Sequence, residues 1–372
     1  MRATDLLIKA IEIIKQNSFY ITVNCQFVIV KEGLFPSSNK KNKIIFVPVS
    51  IVPFLQMYNL KSYDILSSYI LGHKLIDSDF YDEAERVLIN LHKYTYTNLK
   101  AKHLEKHYNR LITQVVFILL HEIGHFTFEY ELIRQVILPD LYSRYFRWVE
   151  QLKNFKEELI RIFNIQQNYF DSKYYKNDKF DIKSYTTDYL KHVKNTDFEK
   201  IFLLNEEEYF ADSYAFFSMV NYIELFEKMN DSYFSVIEYS IKALECSYLI
   251  TAADGYLNND NPVNKRFDDN YNLIKLTGNS LPWDFRIPNI IILLVDTNLY
   301  EPYKVRLDEM SDEFYVTLPD FINRFNIWGP NELEKLYEGN FNSPNPEKRN
   351  ELYNEYMKVN SFLCAPFEIE FE

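Results

Sequence analysis

Apolar and polar positions along this chain recur with two different periods, and the changes of period mark its elements. Residues 1–18 place apolar side chains at helical spacing, interrupted by Lys9, Glu12 and Lys15. Residues 20–30 then form a run dense in β-branched and aromatic residues, which predicts a strand. Residues 36–42 are turn material, and residues 43–49 predict a second strand, antiparallel to the first. Helices are predicted over 52–71, 78–99 and 104–129, the second with Asp82, Glu83, Glu85 and Arg86 on a solvated side. Pro139 breaks the pattern. A long amphipathic helix follows over 141–163, with Tyr145, Trp148, Leu152, Phe155, Leu159 and Ile162 as its core stripe. Residues 165–198 are polar and read as a long connection, a candidate lid. Another helix is predicted over 206–227, and Pro262, Pro282, Pro288 and Pro302 mark a changed region beyond it. The fold class expected is α+β, predominantly helical, with a small antiparallel N-terminal sheet. The expected divisions are 1–60 (helix and hairpin), 61–269 (helical core, with the polar insertion at 165–198) and 270–372 (C-terminal subdomain).

Inside the third of these helices stands His121-Glu122-Ile123-Gly124-His125. Positions i and i+4 of an α-helix lie about 40° apart on one face. Both imidazoles can therefore grip one zinc ion. The glutamate, about 100° further round, misses the metal but can reach a water bound to it. The residues before the motif, 112–120, are apolar nearly all round, so this helix is expected to be buried. Two histidines and a glutamate in such a helix need partners, which favours a metal over an ordinary core pair. His103 and His107 share the spacing, but Lys102, Glu105 and Lys106 mark a solvated face, and no base follows the first ring.

Composition narrows the alternatives. With 47% apolar residues the chain is globular, and its seven glycines are too scattered to build a phosphate-cradling loop. A formal charge of −12 disfavours nucleic acid as a partner. The cluster Lys40, Lys41 and Lys43 reads as solvation of a hairpin turn. Three distant cysteines (Cys25, Cys246, Cys364) suit a reducing compartment. No apolar run approaches 18 residues, and the first residues lack the pattern of a signal peptide, so a cytoplasmic protein without membrane partners is expected.

A catalytic zinc takes three protein ligands and keeps one position open. His192 is isolated in a polar stretch. Glu208 is the better third ligand, in Asn205-Glu206-Glu207-Glu208-Tyr209-Phe210-Ala211-Asp212-Ser213-Tyr214-Ala215. Asp212, one turn on, can accept the free ring N–H of His121 and aim the imidazole. Glu206 and Glu207 are expected to point elsewhere, as acidic residues of a helix start capped by Asn205. Ala211, Ala215 and Gly124 are small enough to let the two helices approach closely.

These residues resemble the gluzincin class of zinc metallopeptidases. Within that class the chain is similar to the phage-exclusion (Lit-type) peptidases. The hairpin Asn42-Lys43-Ile44-Ile45-Phe46-Val47, the His121–His125 motif, the Glu207–Ala215 segment and Asn261-Pro262-Val263-Asn264-Lys265-Arg266 carry the likeness. In the last of these an asparagine stands where histidine is usual. The resemblance implies a zincin-like core and an intracellular endopeptidase with a narrow protein substrate, linked to phage defence by cleavage of a host protein. On this reading one Zn2+ is held by His121, His125 and Glu208. Glu122 is the general base, and Tyr214, Tyr209, Asn261 or Arg266 could steady the transition state. The rival is a regulatory or sensor protein that uses the same scaffold to bind a protein partner with little turnover; an intact Glu122 weighs against it.

Overall fold

The structure is a computed structural model. It describes residues 3–16, 24–98, 104–154, 197–221, 232–257, 281–328 and 343–363, with the single positions 223, 226 and 336. Helix α1 (Ala3–Lys15) buries its apolar stripe Leu6, Leu7, Ala10, Ile11 and Ile14. It leads to strands β1 (Gln26–Val30), β2 (Ser37–Asn39) and β3 (Ile44–Pro48). The sheet order is β1-β3-β2. Strand β3 is central, with Ile45 and Val47 fully buried at the period of two that a half-buried strand requires.

The sheet is mixed, which corrects the antiparallel pairing expected for residues 20–30 and 43–49. β1 runs parallel to β3, and β2 is antiparallel to β3. The physical reason lies in Ser37, Ser38 and Asn39. Their polar side chains read as turn, yet their backbone pairs with Asn39↔Ile44 and Ser37↔Phe46 and forms the far edge of the sheet. The chain thus crosses from β1 to the opposite edge before it returns in the middle. The return is a tight turn in which Asn39 Oδ1 accepts from Asn42 N and Lys43 adopts φ 51°.

Next come α2 (Ile51–Asn59), α3 (Tyr63–Asp77), α4 (Tyr81–Asn98), α5 (Leu104–Thr127) and α6 (Glu131–Asn154). Two expectations are corrected here. The single helix expected over 52–71 is two helices. Lys61 turns into the left-handed region (φ 54°), and Ser62 N bonds Met57 O to close the first of them. Pro139 lies inside α6 and does not end it. It sits on the exposed face, where water can satisfy the carbonyl its ring leaves unbonded. Leu141, Tyr145, Trp148 and Leu152 on the other face are buried. That burial outweighs the ~3 kcal/mol penalty of an interior proline.

The remaining helices are α7 (Phe198–Asn221), α8 (Tyr233–Leu257), α9 (Leu281–Asp296), α10 (Lys304–Trp328) and α11 (Pro346–Leu363), with a 3-10 turn at Glu301–Tyr303. Helix α5 is the axis of the molecule. Its residues from Leu111 to Leu120 are almost fully buried, and α1, α2, α7 and α8 all pack against it. One hydrophobic cluster runs from Ala3 to Tyr356 and takes in Ile290, Leu293, Phe321 and Leu352. A second, aromatic cluster joins α6, α7 and α9 through Tyr145, Trp148, Phe202, Tyr209, Phe210 and Phe285. Among the described residues no single helix is long and apolar enough to cross a membrane. The candidate lid at 165–198 lies outside the described residues.

Candidate metal centre

Helices α5 and α7 touch more closely than ordinary side chains permit. A Cβ on Gly124 would stand 2.7 Å from the Ala211 Cα and 3.0 Å from its Cβ. Gly124 belongs to the His-Glu-x-x-His segment, and Ala211 lies between Glu208 and Asp212. The small pair therefore brings the two sets of polar side chains face to face.

Three donors converge there. His121 Nε2 and His125 Nε2 are 3.1 Å apart. Glu208 Oε2 is 3.5 Å from the first and Glu208 Oε1 is 3.6 Å from the second. A tetrahedral ion with bonds of ~2.0–2.1 Å holds its ligands about 3.3 Å from one another. These side chains could hold a metal ion.

The far side of each ring is also engaged. His121 Nδ1 lies 2.9 Å from Asp212 Oδ1, and His125 Nδ1 lies 2.8 Å from Glu207 Oε1. Carboxylates at Nδ1 assign the proton of each neutral ring to that nitrogen. With both rings neutral, the Nε2 lone pairs face one space 3.1 Å apart, which a cation would bridge; a proton on one Nε2 bridges it as a hydrogen bond. Asp212 is itself bound: Arg286 donates from Nε to Oδ2 and from Nη2 to Oδ1, each at 2.6 Å. Arg286 Nη1 lies 3.9 Å from Glu208 Oε2.

The electrostatics follow from burial and these pairs. Burial by itself would lower the His121 imidazole. The Asp212 and Glu208 carboxylates override it and raise the group to about 10. Burial would raise Asp212 and Glu208 too, but Arg286 and the imidazoles hold both below the usual carboxylate range. Glu122 is 4% exposed, and burial lifts it above that range against the pull of both histidines and a hydrogen bond from Ser38. The Glu208 side chain is 42% exposed, whereas those of His121 and His125 are 8% and 10% exposed. The centre is therefore open to solvent on the Glu208 side.

Arginine 286 is a functional residue that the sequence reading missed. It is the one basic residue in Leu281–Asp296, a largely apolar helix that also carries Asp284 and Asp296, and a buried guanidinium must have an acidic partner. That lone cation in a largely apolar helix is the signal the sequence offers. Beneath it, fully buried Arg144 donates to Asn289 Oδ1 (3.0 Å) and Ser213 Oγ (3.3 Å) and pairs with Asp140, tying α6, α7 and α9 together.

Glu207 corrects the reading that it points elsewhere: it bonds His125 and pairs with Lys40. Lys40 correspondingly does more than solvate a turn. Asn205 does not cap this helix, which begins a full two turns earlier at Phe198; its Nδ2 donates to Ile201 O. Tyr209 is fully buried in the aromatic cluster, 4.9 Å from the Phe285 ring, and half-buried Tyr214 stacks on Phe210. Asn261, Arg266, His192 and His103 lie outside the described residues, as does the His107 side chain. No protein-family model, curated protein or solved structure matches the chain.

Proposed function

We propose that this protein is a zinc-dependent endopeptidase. One observation carries the reading: His121, His125 and Glu208 offer donors 3.1–3.6 Å apart while a carboxylate occupies the outer nitrogen of each ring. Two imidazoles and one carboxylate with a side left open is the donor set of a catalytic zinc. When bound, the ion supplies Lewis acidity and a nucleophile at neutral pH.

The chain's own residues supply the rest. Glu122 follows His121 directly, so it lies beside the donors without being one of them. Its raised carboxyl suits a group that takes a proton from the attacking water and passes it to the leaving amine nitrogen. Asp212 and Glu207 hold the two rings in place, and Arg286 balances the charge that Asp212 and Glu208 bring. β2 is an edge strand adjacent to α5, with Ser38 near Glu122, so an extended peptide pairing along it would pass the base. This supports a peptide substrate over a small molecule. A protein substrate in the host of a phage is the role that the likeness to phage-exclusion peptidases suggests.

The test is metal content and cleavage together. The purified protein should carry about one zinc per chain, lost in His121→Ala and in Glu208→Ala. Glu122→Gln should keep the metal and create no new N-termini in a cell extract where the wild type does. Cleavage by Glu122→Gln at the wild-type rate would exclude the mechanism. Metal-dependent capture of a partner without cleavage by either protein would favour the sensor.

A further inference from the structure

Two consecutive carboxylates grip the two nitrogens of one ring. Glu208 Oε1 faces His125 Nε2 at 3.6 Å, and Glu207 Oε1 meets His125 Nδ1 at 2.8 Å. Glu207 does not end there, because the Lys40 ammonium pairs with the same oxygen. Lys40 belongs to the turn after β2, the edge strand that packs against the motif helix. The β2–β3 turn is thus linked through Glu207 to a ring of the motif helix, against which β2 also packs.

We infer that Lys40 and Glu207 act as a positioning pair for His125, setting its tautomer and orientation and fastening the β2–β3 turn to the metal centre. The inference rests on the zinc reading above. The Lys40 and Glu207 side chains are 38% and 32% exposed, and an ion pair this exposed adds little to the stability of a fold. If the pair were ordinary surface charge, its removal would leave metal binding unchanged. If it positions the ring, removal weakens metal binding although neither residue touches the metal. Nor are the two contributions independent: Lys40 acts only through Glu207, so its effect must vanish once Glu207 is gone.

The experiment is zinc binding by full-length protein in competition with a chromogenic chelator, with the visible spectrum of the cobalt(II)-loaded protein as a second readout. Glu207→Ala should bind zinc about 10- to 100-fold more weakly, the range for losing a group that orients a ligand. It should also shift the cobalt bands. Lys40→Met should weaken binding by a smaller factor, and Lys40→Arg should restore it. Adding Lys40→Met to Glu207→Ala should change nothing further. Wild-type zinc affinity and an unshifted cobalt spectrum in Glu207→Ala would overturn the inference while leaving His121→Ala and Glu208→Ala to support the metal centre. An undiminished effect of Lys40→Met in the Glu207→Ala background would overturn the relay through Glu207. A wild-type protein that takes up neither zinc nor cobalt would overturn this inference and the peptidase reading together.

Discussion

Gly124→Ala is the sharpest probe of how this centre is assembled. On helix propensity alone the change should stabilise the protein by ~1 kcal/mol. The packing argues the other way. The new methyl carbon would lie 2.7 Å from Ala211 Cα, and carbon atoms rest at ~3.5–4.0 Å, so α5 and α7 must part by about 1 Å. The obstacle is backbone, which cannot rotate aside. Overpacking of this kind costs ~1–3 kcal/mol, enough to cancel the propensity gain and leave a net loss of ~0–2 kcal/mol. Metal binding is more exposed still. Ligand distances are tolerated within about ±0.2 Å, so a 1 Å separation of Glu208 from the two rings removes it as a ligand. Urea unfolding of the metal-free protein and zinc titration read the two effects separately. A variant that is more stable than wild type and binds zinc equally well would refute the claim that the Gly124–Ala211 contact sets the centre.

Three more outcomes follow from the buried groups. Asp212→Asn leaves Arg286 without its carboxylate and His121 without its anchor; a loss of ~3–5 kcal/mol in unfolding free energy and zinc binding ~10–100-fold weaker are expected, and near-wild-type values for both would count against the network. Glu245, fully buried and bonded by the Tyr58 hydroxyl, is pushed up to about 8 by burial, above the ordinary 4.5. The stability it lends is complete below about pH 4.5 and lost as pH rises through 8, on the order of 5 kcal/mol in all, so Glu245→Gln should flatten that alkaline limb in unfolding measured against pH. His73 lies among Phe54, Tyr69, Tyr353 and Tyr356, and burial drives it from 6.5 down to about 3. Its neutral form is favoured, so stability present above pH 6.5 is lost as pH falls toward 3, and His73→Phe should move the acid unfolding midpoint to lower pH; an unchanged midpoint would remove His73 as the cause.

Some of this was legible in the sequence because it was local. The spacing of His121 and His125 is a helical repeat, and their apolar flanks imply burial, which residues Leu111 to Leu120 have. Asp212 stood out as an acid among Phe210, Ala211 and Ala215, and it lies beside His121. What escaped depended on separation. Arg286 meets Asp212 across 74 positions, and nothing near Arg286 names its partner. Glu207 reads in the sequence as an acid of a helix start; the two nitrogens of His125 point in different directions, so the ring draws on adjacent residues of α7. The sheet was misread because Ser37 to Asn39 pair through backbone, to which side-chain polarity is nearly blind.

The position of Arg286 bears on how the molecule comes into being. Asp212 is fully buried, and an arginine that is made much later in translation neutralises it. A nascent chain that has emerged only as far as α8 holds both rings and both acids, yet leaves that aspartate without its guanidinium partner. The ion pair that fixes Asp212, and with it the outer side of the His121 ring, is complete only once α9 has joined α7.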